Sequence, residues 1–409
     1  MKSGWVTNKL GEVCDSFNGI WKGVKPPFKT VGVIRATNFT KQCEFDSSKT
    51  VFIEVEEKKF NKRRLEFGDI IVERSGGGPG QPVGRVIFFN LDEGDYTISN
   101  FTSALRVKDK AFLSPYYLHR VLVAKYFSGA TEDMQSNSIH IINLNYSAYL
   151  QLDIPIPPLA EQKRIVAKID AAFEKIDKLK ANAEKNLANA KELFQSALDE
   201  AMRPKEGWVE KRLGEVCCKI GSGATPRGGR ASYCQQGISL IRSMNVYDHS
   251  FVYSELAHIN ESQAKELENV TIEPCDVLIN ITGASVARCC VVPNDVIPAR
   301  VNQHVSILRI ASGSKVSPDF LCYSLVSPTK KRILLEIGEA GSTRQALTKS
   351  DLSSFCINIP TIEEQNRIVE NVRELAEKIK TIEQNYTQQI ADCAEMRQAV
   401  LREAFEGRL

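Results

Sequence analysis

Two short groups of polar residues share a spacing that suits the reading of nucleic-acid bases. Arg35 and Asn38 follow the apolar run Val31–Ile34, and Arg242 and Asn245 follow Leu240-Ile241 with the same three-residue step. An arginine guanidinium offers a bidentate fork to guanine, and asparagine or glutamine matches adenine, in the major groove of duplex DNA. Further along, Arg74, Ser75, Gln81 and Arg85 stand against Asn280, Thr282, Ser285 and Arg288, and Asn100 stands opposite Asn302, Gln303 and His304. Taken singly, each of these is more often a turn residue or a solvated side chain. Their recurrence in both halves of the chain shifts the weight towards recognition. The basic runs from Lys58 to Arg64 and from Lys330 to Arg332 suit phosphate contacts, which position a protein on DNA without specifying sequence.

Other chemistry lacks its residues. The run from Ser75 to Pro82 is glycine-rich but has no closing Lys-Ser/Thr, so it does not read as a phosphate loop. The five histidines show no H-x-x-x-H or H-E-x-x-H pairing, and no G-x-S-x-G elbow occurs. No metal, no cofactor and no catalytic activity of its own are expected. The eleven cysteines have no C-x-x-C spacing and read as small buried hydrophobes in a reducing compartment. No apolar run is long enough for a membrane helix, and no apolar signal core follows the first residues, so a cytoplasmic protein is expected.

The elements that must position the polar groups come from a duplication. From Leu159 to Met202 apolar residues recur in steps of three and four, among them Val166, Ile169, Phe173, Ile176, Leu179, Ala183 and Leu187, a seam of the coiled-coil kind. The seam returns from Ile362 to Phe405, and Trp208 to Cys217 repeats Trp5 to Cys14, both 203 positions later. The steps Ile176, Leu179, Ala183, Leu187 contain an inserted four-residue step that unwinds a supercoil locally. Lys180 and Glu383 flank it in the two copies, and as opposite charges they are expected to help set register in an antiparallel pair. Pro at Ser114-Pro115 and Ser317-Pro318 predicts a helix start at each place. Ile154–Pro158 and Ile357–Pro360 read as extended segments whose proline stops strand pairing and delivers the chain to the long helix. Thr361 and Glu364 have capping-box spacing.

Four parts follow: a head over 1–157, a long helix over 158–203, a second head over 204–360 and a second long helix over 361–409. The C-terminus falls where a next unit would begin, so the fold is expected to be circular in space and to tolerate permutation. The formal net charge is +3, but Glu363 to Glu406 carries ten acids and six bases while Ala160 to Met202 has eight of each, so the positive charge lies in the heads.

Taken together, Trp208–Val216, Gly223-Ala224-Thr225-Pro226, Ile279–Ser285, Val301–His304, Gly341-Ser342-Thr343 and the phrases Ile156–Gln162 and Ile359–Gln365 resemble the specificity subunit of type I restriction-modification systems. The resemblance covers essentially the whole chain. It implies a mixed α/β (α+β) fold with two target recognition domains, separated by two long helices in an antiparallel coiled coil and related by a pseudo-two-fold, circular repeat. It implies a non-catalytic reader of a bipartite, asymmetric duplex DNA target. Thr225, Arg227, Thr343 and Arg344 join the DNA-binding set, and Glu161, Gln162, Glu364 and Gln365 join Lys180 and Glu383 as register or docking residues. Two methyltransferase subunits and the restriction subunits are the implied partners, with S-adenosylmethionine held by the methyltransferase. Helices of about 43 residues rise roughly 65 Å, enough to space two heads on neighbouring turns of duplex. The rival reading is a coiled-coil scaffold whose heads bind proteins.

Overall fold

A computed structural model describes residues 4–21, 23–77, 81–138, 141–339, 345–406 and 408. The chain divides into two compact units, Met1–Ala183 with Gln388–Leu409, and Glu184–Thr387. The two division points are 204 positions apart, almost one repeat.

The first unit is built on an antiparallel four-stranded sheet in the order Cys14–Asn18, Thr102–Val107, Ile70–Glu73, Val86–Phe88. Ile70, Ile71 and Val72 are fully buried, as expected of a central strand covered on both faces. Beside it lies a smaller sheet in which Phe28–Ile34 pairs antiparallel with Val51–Glu56 and parallel with Tyr96–Ile98. Pro115–Phe127 forms the predicted proline-led helix. The hairpin Gln135–Ser138 with Ile141–Leu144 adds Ser75–Gly76 as a third strand.

The second unit repeats the design. Its four strands run Cys217–Ser222, Val305–Ile310, Val277–Asn280, Cys289–Val291, and its smaller sheet runs Ala257–Ile259, Ile238–Ile241, Ala299–Val301. It differs after Pro318–Val326, where a second helix, Pro328–Glu339, stands in the place of the first unit's hairpin. Pairing ends at Ile359 before Pro360 in the second unit, as expected, whereas in the first unit Pro155 lies inside a paired strand. Asp153–Ile156 pairs with Val6–Lys9, with Pro155 opposite Thr7, and Cys356–Ile359 pairs with Val209–Arg212. Each sheet has only these two strands, so Pro155 occupies an edge, where proline is tolerated.

The long helices are Leu159–Ala201 and Ile362–Phe405, neither interrupted by Gly or Pro. In the first unit Ile165, Ile169, Phe173 and Ile176 share a core with Cys393, Leu401 and Ala404. Arg397 pairs with Asp177 at 2.9 Å, and its guanidinium lies 4.4 Å over the Phe173 ring. In the second unit Ala190, Phe194, Leu198 and Met202 share a core with Ile368, Val369, Val372 and Ile379. Each unit thus joins an early half of one helix to a late half of the other, the antiparallel arrangement. Two seam positions turn out of the core: Leu179 and Ile382 are exposed beside the inserted four-residue step, where the seam changes face.

Gln162 and Gln365 fasten each helix start to its own head. Gln162 accepts from the Ser114 amide at 2.8 Å and donates to the Phe112 and Pro157 carbonyls. Gln365 accepts from the Ser317 amide at 2.8 Å and donates to the Lys315 and Pro360 carbonyls. Both are fully buried. This corrects their assignment as docking residues: every polar atom of the amide is engaged inside the unit, and none is left at a surface for a partner. Glu161 and Glu364 are half-buried and sit three residues before Arg164 and Arg367, with which they pair at 2.6 and 3.8 Å.

Candidate nucleic-acid interface

In each unit the middle strand of the smaller sheet ends in an arginine followed by a single 3-10 turn, Ala36–Asn38 or Ser243–Asn245. The asparagine that closes the turn is fully buried in both. Asn38 Oδ1 accepts from the Arg35 amide at 2.9 Å, and its Nδ2 donates to the Asp46 carbonyl at 2.9 Å. Asn245 accepts from the Arg242 amide at 3.1 Å and donates to the Val252 carbonyl at 2.9 Å. The Arg-x-x-Asn recurrence is therefore a repeated cap, and Asn38 and Asn245 are corrected from base readers to turn residues, because their amide edges face the protein.

The arginines ahead of these turns differ. Arg35 is exposed, and among the described residues nothing engages its guanidinium. Arg242 is half-buried; its Nη2 donates to the Glu255 carbonyl, and its Cζ lies 5.7 Å from the centre of the Tyr233 ring.

The central strand contributes a second pair of positions. Glu73 donates its backbone N–H to Arg85 O at 2.9 Å, and Asn280 donates to Arg288 O at 2.8 Å, so Glu73 corresponds to Asn280 and Arg85 to Arg288. Arg85 is buried, with Nε and Nη2 on the Glu73 carboxylate at 2.8 and 2.7 Å and Nη1 on the Phe39 carbonyl at 3.1 Å. Burial opposes its charge, but the Glu73 hydrogen bonds and charge outweigh burial and raise the guanidinium's pKa. Gln81, with its amide oxygen turned to the guanidinium, accepts from Arg85 at 3.0 Å. Arg85 and Gln81 are thus corrected to members of a buried network. Arg288 instead lies with Cζ 4.4 Å from the centre of the Tyr247 ring, and among the described residues no acceptor takes its N–H groups.

Arg74 donates to Asn18 Oδ1 at 2.8 Å and packs 4.7 Å from the Tyr146 ring centre, and Ser75 donates to Asn143 at 2.6 Å, so both are committed within the fold. Asn280 is fully buried and donates to the Ser243 and Val246 carbonyls, which removes it from base contact. Asn302 is buried and accepts from the His304 amide at 3.0 Å, a turn role again. Thr282 Oγ1 and His304 Nδ1 lie 2.5 Å apart. Asn100 donates to the Ile20 carbonyl and accepts from Trp21 Nε1, while in the second unit Thr225 donates to Gln303. Thr225, Arg227 and Gln303 are exposed, and Ser285 is half-buried. Thr343 and Arg344 lie outside the described residues.

The basic runs are largely occupied: Lys59 pairs with Glu56, Arg64 with Asp95, Lys331 with Asp248 and Arg332 with Glu336, while Lys58 and Lys62 are exposed.

Each unit has a cleft at the end of these strands. The first, about 550 Å³, is lined by Trp21, Val33, Arg35, Ile53, Asn100 and Phe101 among others, and Trp21 and Phe101 are exposed. The second, about 460 Å³, is lined by Met244, Tyr247, Thr282, Ser285, Arg288 and His304 among others. Gly19 and Gly223 allow the close approach behind them, since a Cβ would fall 1.9 Å from the Ser99 carbonyl oxygen or 1.7 Å from that of Val301. The residues that sequence reasoning missed are Glu73, Tyr247, Trp21 and Phe101. Trp21 and Phe101 carried no repeated signal. Glu73 was hidden because twelve positions separate it from Arg85 whereas eight separate Asn280 from Arg288.

Among the described residues no group of His, Cys, Asp and Glu could hold a metal ion, and no helix is long and apolar enough to cross a membrane.

Comparison with known proteins gives one family. The Type I restriction modification DNA specificity domain matches the chain twice, over residues 2–188 and 205–391. The chain is 23% identical to the type I restriction enzyme StySPI specificity subunit of Salmonella potsdam, over 100% of its own length and 90% of that subunit. It is 26% identical to the EcoBI specificity subunit of Escherichia coli over 67% of its length, and that match spans 62% of the relative. Among solved structures, a chain from a study of complex assembly and conformational transition of the type I R-M system aligns with TM-score 0.76 at 22% identity, covering 100% of this chain and 99% of that one. The HsdS subunit of Thermoanaerobacter tengcongensis aligns with TM-score 0.56 at 21% identity, covering 100% and 98%. These likenesses share the fold described above.

Proposed function

The chain belongs to the type I restriction modification DNA specificity family, and from that premise we propose that it is the non-catalytic subunit that reads a bipartite, asymmetric DNA target, one half-site through each unit. The observation that carries this reading is the pair of clefts at equivalent strand ends, each with an arginine whose N–H donors no described residue takes, Arg35 in one and Arg288 in the other. The unlike linings support unlike half-sites, because base edges are told apart by donor and acceptor pattern.

In this reading the heads over 1–157 and 204–360 recognise DNA, and the helices over 158–203 and 361–409 space them and dock two methyltransferase subunits, with the restriction subunits joining for cleavage. S-adenosylmethionine belongs to the methyltransferase, and the assembly works in the cytoplasm. Lys180 and Glu383 serve helix register, with Glu161 and Glu364 beside the head as docking charges. The exposed Thr225, Arg227 and Gln303, with Ser285, are further DNA contacts of the second unit, and Lys58 and Lys62 are phosphate contacts of the first.

Sequencing N6-methyladenine in DNA from cells carrying this chain and its modification partner tests the proposal. A motif of two unlike half-sites separated by a fixed unread spacer is expected. Methylation without such a motif, or duplex binding that does not weaken steeply as salt rises, would count against it.

A further inference from the structure

The two clefts differ in which arginine is left available, and the difference traces to one buried position on the central strand. In the first unit the Phe39 carbonyl, next after the capping Asn38, accepts from Arg85 Nη1. In the second unit the equivalent carbonyl, that of Val246 next after Asn245, accepts from Asn280 Nδ2 at 3.3 Å. A carboxylate cannot donate a hydrogen bond, so Glu73 recruits Arg85 both as counter-ion and as donor to that carbonyl. An amide donates by itself. With Asn280 in place the second unit needs no buried arginine, and Arg288 stays in the cleft on the Tyr247 ring. Stacking on an aromatic face holds a guanidinium without using its N–H groups. The arrangement at the other arginine is reversed: Arg242 is tied to the Glu255 carbonyl, and Arg35 is exposed.

We propose that the guanine-reading arginine has changed position between the units: Arg288, presented by Tyr247, reads in the second, and Arg35 reads in the first. Glu73 is the residue that withdraws Arg85 from recognition. The assignment rests on the DNA-reading function proposed above. Its chemistry is the bidentate donation of a guanidinium to guanine O6 and N7.

The test compares methylated motifs from cells carrying the modification partner with the unaltered chain or with Arg288→Ala, Arg288→Lys, Arg35→Ala or Asn280→Glu. The unaltered chain should require a guanine, on either strand, in both half-sites. Arg288→Ala should relax one guanine in one half-site, roughly ten- to hundredfold in discrimination, and Arg35→Ala one guanine in the other. Arg288→Lys should relax the same base while keeping methylation, since a lysine has no fork. Asn280→Glu should copy Arg288→Ala by capturing the arginine as Glu73 does; should that variant not fold, the two Arg288 variants decide. Uniform loss with an unchanged motif, both arginines acting on one half-site, or a folded Asn280→Glu variant that keeps the guanine would each overturn the assignment. If the unaltered chain directs no bipartite motif, the proposed function itself fails; if it does and Arg288→Ala keeps every base, only this assignment fails.

Discussion

Gln162 and Gln365 make the same three hydrogen bonds in the two units, to the same relative positions, whereas Glu73 and Asn280, equally buried and equally matched in the backbone, do different things. At the helix start the surrounding backbone presents one N–H and two carbonyls, and a single glutamine amide satisfies all three. Next to the cleft, the carbonyl that follows the capping asparagine can be satisfied either by an amide or by a carboxylate–arginine pair. Where one solution exists the units agree; where two exist they have taken different ones, and the cleft inherits the consequence.

Substitutions separate these cases. The largest effect is expected for Glu73→Ala, which strands the Arg85 charge in a buried site and should cost about 3–5 kcal/mol. Asn280→Ala leaves two carbonyls short of a neutral donor and should cost about 1–3 kcal/mol. Denaturant unfolding of the two variants checks the order, and equal losses would mean that the Glu73 charge pair behaves like a simple hydrogen bond. Gln162→Ala and Gln365→Ala should each lose about 2–3 kcal/mol through unpaired buried backbone groups, and the two losses should match. A clear inequality would break the equivalence of the helix starts. Asp177→Ala removes a largely exposed partner of Arg397 and should cost under about 1 kcal/mol.

The smallest expected effect is a pH response confined to the first unit. The Lys25 and Val24 amides, with Lys59, hold the Glu56 carboxyl down to about 2 from its ordinary 4.5. A depressed folded-state pKa stabilises above the ordinary value and is lost as pH falls towards the depressed one. Protection of the Val24 and Lys25 amides from exchange, corrected for intrinsic rate, should therefore fall between about pH 4.5 and 2, and Glu56→Gln should abolish that dependence.

Much of this architecture was legible in the chain itself. The 3-and-4 spacing of Val166 to Ile176 and of Val369 to Ile379 identifies the helices, because apolar periodicity survives any change of neighbour. The recognition surface was less legible for a physical reason. Asn38 and Asn245 recur because a strand-to-turn corner needs a side chain that accepts from one amide and donates to a nearby carbonyl, and repetition alone cannot distinguish that demand from base reading. Arg85 and Arg288 carry the same letter at the same offset, yet one is buried and the other faces the cleft. The deciding residue, Glu73 or Asn280, stands at an offset of 207 rather than 203.

The units divide inside the long helices, between residues 183 and 184 and between 387 and 388. A chimera of two relatives spliced at those mid-helix points would carry each hydrophobic core over intact, from Ile165 to Ala404 in one case and from Ala190 to Ile379 in the other. Joints placed where the heads end would instead force seam residues from one parent to repack against a head from another. The mid-helix seams are therefore the points at which a new pair of readers can be assembled with the least disturbance.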